Sequence, residues 1–134
     1  MKKIFFVSVL LISLLNLTKA QWQLTSLPDS IGVSSFVIKG DTIFAGSNYG
    51  VYFTSNKGNS WEKAGLDTDF ITSMAVIGNN IYAGVGNFDT GNGGVYISSN
   101  NGKNWSATEY TGEYVNRLAV KGENINIVSK MVVK

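Results

Sequence analysis

The chain contains no cysteine and no histidine. That excludes the usual zinc and copper sites, a thiol nucleophile, a Ser-His-Asp relay and a disulfide framework. Arginine is nearly missing too, with Arg117 alone among eleven cationic residues. The longest apolar run, Ile4 to Leu15, is shorter than the about 20 residues that a membrane-spanning helix needs. Lys2 and Lys3 precede it and Thr18-Lys19-Ala20 follows it, the charged start and small-residue end of a secretion signal. Residues 1–20 are therefore predicted to be a signal peptide, with an uncleaved anchor as the rival reading. The remainder is expected in the periplasm, on the cell surface or in the medium. No membrane span should persist after the signal is removed, and no cysteine offers lipid attachment.

The formal charge of +2 belongs to the signal. Lys2, Lys3 and Lys19 lie in it, so residues 21–134 hold eight cationic residues against nine acids. A nucleic-acid or anionic-membrane partner is not implied by that balance. About 114 residues can build one small core.

What is present in quantity is a repeat. Thr54, Asn56, Gly58 and Trp61 recur 44 residues later as Ser98, Asn100, Gly102 and Trp105. Upstream of each, Phe36 to Gly46 matches Met74 to Gly84, and a third copy begins at Leu118 to Ile125. Each copy reads as two short β-rich runs joined by a glycine turn, then a third run (Val51 to Phe53, Val95 to Ile97) and a fourth opened by the tryptophan. Both pleat phases are apolar, as in Phe36, Val37 and Ile38, which suits sheets covered on two faces. A period near 44 with a glycine turn and a closing tryptophan points to stacked β-blades, with a sandwich or solenoid as the alternative.

In the turn between the third and fourth runs, the Asn56 and Asn100 side-chain carbonyls are expected to accept backbone N–H groups two residues on. Thr54 and Ser98 add a hydroxyl, Gly58 and Gly102 add backbone freedom, and the two tryptophans cover the turn. All eight residues are predicted to be structural.

These turns resemble the Asp-box, or BNR, repeats of β-propellers found in sialidases, sortilin-type receptors and photosystem II assembly-factor-like proteins. The family motif is Ser or Thr, any residue, Asp, any residue, Gly, two variable positions and Trp. Both copies here carry Asn in place of Asp, which keeps an acceptor and drops its charge. The resemblance covers Trp22 to about Val128 and implies an all-β fold, a partial propeller of about two and a half four-stranded antiparallel blades. Residues 21–134 are divided into blade 1 (about 34–64), blade 2 (about 71–108) and a partial blade 3 (about 115–134), with Trp22 to Thr25 as a closing strand. Propellers close with about 4–8 blades. A truncated gene product is the expectation, with self-association through exposed blade edges, or a marginally folded fragment, as alternatives.

Sialidase-like relatives hold a substrate carboxylate with three arginines, a site that Arg117 cannot supply alone. A paired-carboxylate site is identified by no spacing, so catalysis is not expected. The stretch Asn87 to Gly94 has the look of a calcium loop but places glycines where an EF-hand needs oxygen ligands. It reads as a six-residue insertion relative to the first repeat, leaving weak calcium binding without a motif and no cofactor predicted. Gly102-Lys103 lacks the upstream glycine of a phosphate loop.

Strand order sends the loops after the second and fourth strands to one end of each blade. That end collects Asp67, Asp69, Phe70, Asn87, Phe88, Asp89, Tyr110 and Tyr114, an acidic and aromatic rim. Lys39, Lys57, Lys103 and Lys121 fall at the opposite end. The rim is the predicted binding face, suited to neutral sugars, cationic peptide segments or a weakly held calcium ion. Loop polarity serving only solubility is the plainer reading. Function is thus expected to be non-catalytic binding or scaffolding of a glycan or protein ligand. The alternative from another class is a fragment of a glycoside hydrolase propeller that lacks its catalytic blades, and a third is a purely structural repeat.

Overall fold

The computed structural model describes residues 24–67, 69–87 and 89–129. The predicted signal peptide and Trp22 lie outside the described residues, as do Thr68 and Phe88. Every regular element among them is a strand. The first sheet holds β1 (Val33–Lys39), β2 (Thr42–Ser47), β3 (Gly50–Thr54) and β4 (Glu62–Lys63), in that order. The second holds β5 (Ile71–Ile77), β6 (Asn80–Gly86), β7 (Gly93–Ser98) and β8 (Ser106–Thr111), again in chain order. A third, two-stranded sheet pairs β9 (Val115–Lys121) with β10 (Asn124–Ser129). All pairings are antiparallel.

The meanders follow from turn chemistry. Each first hairpin closes through a two-residue turn that begins with Gly40, Gly78 or Gly122, at φ of 58°, 55° and 61°. A side chain at those positive angles would be strained, so glycine sets the hairpin register. Each innermost strand also carries a register shift near its start, between Val33 and Ser35, between Ile71 and Ser73, and between Val115 and Arg117 opposite Ser129 and Val128. The skipped residues, Ser34, Thr72 and Asn116, are equivalent positions of the three repeats.

The sheets meet side by side through their innermost strands, with β1 against β5 and β5 against β9. Between the first two lies the main core, in which Phe44, Val51, Ile71 and Ile81 are at most 1% exposed. Gly46 makes the approach possible, because a Cβ there would sit 2.5 Å from Ile71 Cγ2. Gly84 does the same for Val115, at 2.7 Å. The same hydrogen bond stitches both junctions: Met74 N donates to Ser35 Oγ and Leu118 N donates to Ser73 Oγ, each at 3.0 Å. Each contributes on the order of 1 kcal/mol. Repeated meanders packed through equivalent inner strands form an all-β partial propeller, and the three sheets are called blades 1 to 3 below.

Two details differ from the sequence reading. Leu24 and Thr25 are not in a strand; they run along the outer edge of blade 1, where Ser26 N donates to Gly58 O at 3.1 Å. The fourth strand of blade 1 is only two residues long, against six in blade 2.

Candidate functional site

The tryptophan turns are built from side-chain oxygens. Thr54 Oγ1 accepts the amides of Asn56 (3.3 Å) and Gly58 (3.0 Å) and donates to Asn56 Oδ1 at 2.8 Å. Ser98 repeats this with Asn100 and Gly102. The asparagine oxygens accept from amides four residues on, Ser60 and Asn104, each at 2.9 Å, and not two residues on as the Asx-turn expectation had it. The nearer amides, of Gly58 and Gly102, are already taken by the Thr54 and Ser98 hydroxyl oxygens at 3.0 and 2.9 Å. Thr54 and Ser98 are buried. Their oxygens are therefore occupied by the turn and have no access to a ligand.

Neither tryptophan merely covers its own turn. Trp105 Nε1 donates across the junction to Ala64 O of blade 1 at 2.5 Å, and Trp61 Nε1 donates to Thr25 Oγ1 at 2.5 Å. Thr25 thus stands to blade 1 as Ala64 stands to blade 2.

The rim residues separate into two groups. Asp69, Phe70, Asn87 and Asp89 line one cleft of about 310 Å³ between the loops of blades 1 and 2, together with Asn48, Val85 and Gly86. The loop that carries Asp89 is held by Asn87, whose Oδ1 accepts the amides of Asp89 (2.9 Å) and Thr90 (3.0 Å). Asp69 is fixed through its main chain, its amide donating to Leu66 O and its carbonyl accepting from Gly50 N. Partial burial raises the Asp69 carboxyl above its ordinary value of 3.8 by penalising the charged form. A cationic group in the cleft would relieve that penalty.

The other rim residues sit elsewhere. Asp67 faces Lys63 at 3.9 Å, an exposed pair outside the cleft. Tyr110 donates to Glu113 Oε2 at 2.9 Å. Tyr114 is buried at 7% exposure with its ring against Gly86, where an added Cβ would lie 2.4 Å from the ring edge. Burial raises the Tyr114 hydroxyl pKa, while the Arg117 guanidinium pulls it the other way. Phe88 is outside the described residues.

A second cleft of about 280 Å³ lies by the starts of the inner strands, lined by Ser34, Phe70, Thr72, Tyr114, Asn116 and Arg117. It gathers the skipped residue of every blade, and Arg117 Nη1 closes one side by donating to Thr72 O and Asn116 O, both at 3.0 Å. Sequence reasoning passed over Ser34, Thr72, Asn116 and Asn48. Extending the repeat alignment two residues upstream of Phe36, Met74 and Leu118 would have exposed the first three as a polar position inside apolar strands. Among the described residues no three acidic side chains converge to hold a metal ion, and no helix is long and apolar enough to cross a membrane.

Two meanders and part of a third, joined through inner strands and carrying loop clefts at one end, define the propeller class. The sequence matches the family described as DUF6242 beta propeller domain over residues 8–118, and the chain belongs to that family. No curated protein matches the chain. The family match begins inside the apolar run Ile4 to Leu15.

Proposed function

We propose that the chain is an exported, non-catalytic recognition module whose tryptophan turns are Asp boxes with asparagine in the acidic position, and whose ligand is a cationic segment of another protein. The cleft between blades 1 and 2 carries this reading: two carboxylates, Asp69 and Asp89, share one hollow with the Phe70 ring. Carboxylates beside an aromatic face suit a lysine or arginine side chain, by charge and by cation–π contact. The turn residues are consumed by their own hydrogen bonds and serve as scaffold. The blades hold the loops, and the loops hold the ligand.

A peptide array with varied lysine and arginine content, alongside a neutral glycan array, tests the ligand class. Basic peptides should bind, and Asp69→Lys with Asp89→Lys should weaken them about tenfold or more, an effect that fades with salt. Asp67→Lys should leave binding unchanged, because Asp67 faces Lys63 and not the cleft. Affinity should also rise with pH above the ordinary carboxylate value of 3.8, where the raised Asp69 carboxyl ionises, since the cation binds the ionised form. Binding that ignores both cleft substitutions, or a glycan-only signal, contradicts the proposal. For export, the N-terminus of the released protein should be Gln21. A retained Met1 would count against it.

A further inference from the structure

Blades 1 and 2 enclose a further cleft, of about 240 Å³, that shares no lining residue with the rim cleft. Its apolar wall comes from blade 1. Phe44 and Phe53 are cross-strand partners on β2 and β3, their ring centroids 6.1 Å apart and their planes tilted by 32°. Phe44 is buried at the base, and Phe53 is only half-buried. The facing side is the β7–β8 turn of blade 2, where the absence of a side chain at Gly102 keeps the hollow open. A Cβ there would lie 3.0 Å from Ala64 Cβ and 3.3 Å from Phe44 Cε1.

The polar lining has one sign. Thr42, Lys63, Asn101 and Lys103 supply it, a hydroxyl, an amide and two cations, with no carboxylate among the lining residues. Lys39 Nζ donates to Asn101 Oδ1, which leaves the Asn101 amide nitrogen to donate. Lys63 has Asp67 as a counter-ion at 3.9 Å, whereas Lys103 is exposed and has no ion-pair partner among the described residues. An anion is what this set lacks. The ring pair does not recur on blade 2, where Tyr82 and Ile97 are the corresponding cross-strand partners, so the cleft belongs to this junction and not to the repeat in general.

We propose that this cleft binds a small aromatic carboxylate, with its ring against Phe53 and Phe44 and its acid group on Lys103 and the Asn101 amide nitrogen. Ring contacts of the offset or edge-on kind hold the apolar part. Charge-assisted hydrogen bonds hold the acid. Size follows from volume: about 240 Å³ falls below the about 300–1,000 Å³ of clefts that take drug-sized ligands, so a single ring with a short acid arm fits. The inference is independent of the rim reading, because the two sites differ in lining residues and in the charge of the ligand.

Titration of the full chain with phenylacetate, followed through amide and aromatic NMR shifts, tests the proposal, with phenylacetamide as the neutral counterpart. Shifts at Phe53, Asn101 and Lys103 should saturate with phenylacetate, and phenylacetamide should bind about tenfold more weakly or worse. Lys103→Glu should weaken phenylacetate about fivefold or more, and Lys103→Gln by less. Lys57→Glu makes the same charge change on the equivalent turn of blade 1, outside the cleft, and should leave affinity unchanged. Both lysines are exposed, so the variants should keep the parent spectrum away from the substitution. No saturable binding, equal affinity for the amide, shifts confined to the rim residues, or a loss from Lys57→Glu equal to that from Lys103→Glu would overturn the proposal.

Discussion

Replacing Phe44 with alanine, the largest fully buried side chain among the described residues, is expected to cost about 3–5 kcal/mol. Phe44 is 1% exposed, sits 6.1 Å from the Phe53 ring, and lies under the Gly102 turn of the next blade, where an added Cβ would be 3.3 Å from its Cε1. Its removal would leave a void bounded by two different sheets, with the Phe53 ring on one side and the Gly102 turn on the other. Domains of this size are stable by about 5–15 kcal/mol, so a large share of the total would be lost. Tyr82, the equivalent residue of blade 2, is only half-buried, and Tyr82→Ala should cost markedly less. Urea unfolding of the two variants side by side checks this. Equal losses would mean that the junction between blades 1 and 2 is not the principal core.

Gly46→Val should cost about 3 kcal/mol, for the opposite reason. Gly46 does not have a positive φ, so a branched side chain suits its backbone, and the penalty is steric alone. A Cβ there would lie 2.5 Å from Ile71 Cγ2 and 3.0 Å from Ile71 Cβ, and Ile71 is fully buried with no room to retreat. The substitution places in blade 1 the residue that blade 3 already has at Val128, which is half exposed and meets no following blade among the described residues. A variant as stable as the parent would show that the sheets do not approach one another at Gly46. Thermal unfolding monitored by tryptophan fluorescence would measure the loss.

The all-β meander was legible because its punctuation is narrow. A glycine at each hairpin and the spacing of Thr54, Asn56, Gly58 and Trp61 leave few other local structures, and a second copy 44 residues on removes most of the remainder. What lay beyond reach was everything decided between blades. The tryptophan N–H groups reach 36 and 41 residues back along the chain, a partnership that local spacing cannot reveal. The skipped residue in each inner strand shifts the pleat, so a polar position at the axis looks from sequence like one more strand residue. At the rim, strand order could send Asp67 and Asp69 to one end, but only side-chain placement separates them: Asp67 turns to Lys63, while Asp69 lines the cleft. Tyr114 looked like an exposed aromatic, and its burial depends on Gly86, a residue 28 positions away that offers a flat surface for the ring.

Hydrogen exchange at the Met74 and Leu118 amides is the most direct test of blades packed through their inner strands. Each donates to the serine of the preceding blade, so the neighbouring blade protects it. Both amides should exchange as slowly as those in the central strands, while the corresponding Phe36 amide, on the open side of blade 1, exchanges fast. Exchange at Met74 and Leu118 as rapid as at Phe36, with the central strands still protected, would mean that the sheets form but do not stack around a common axis.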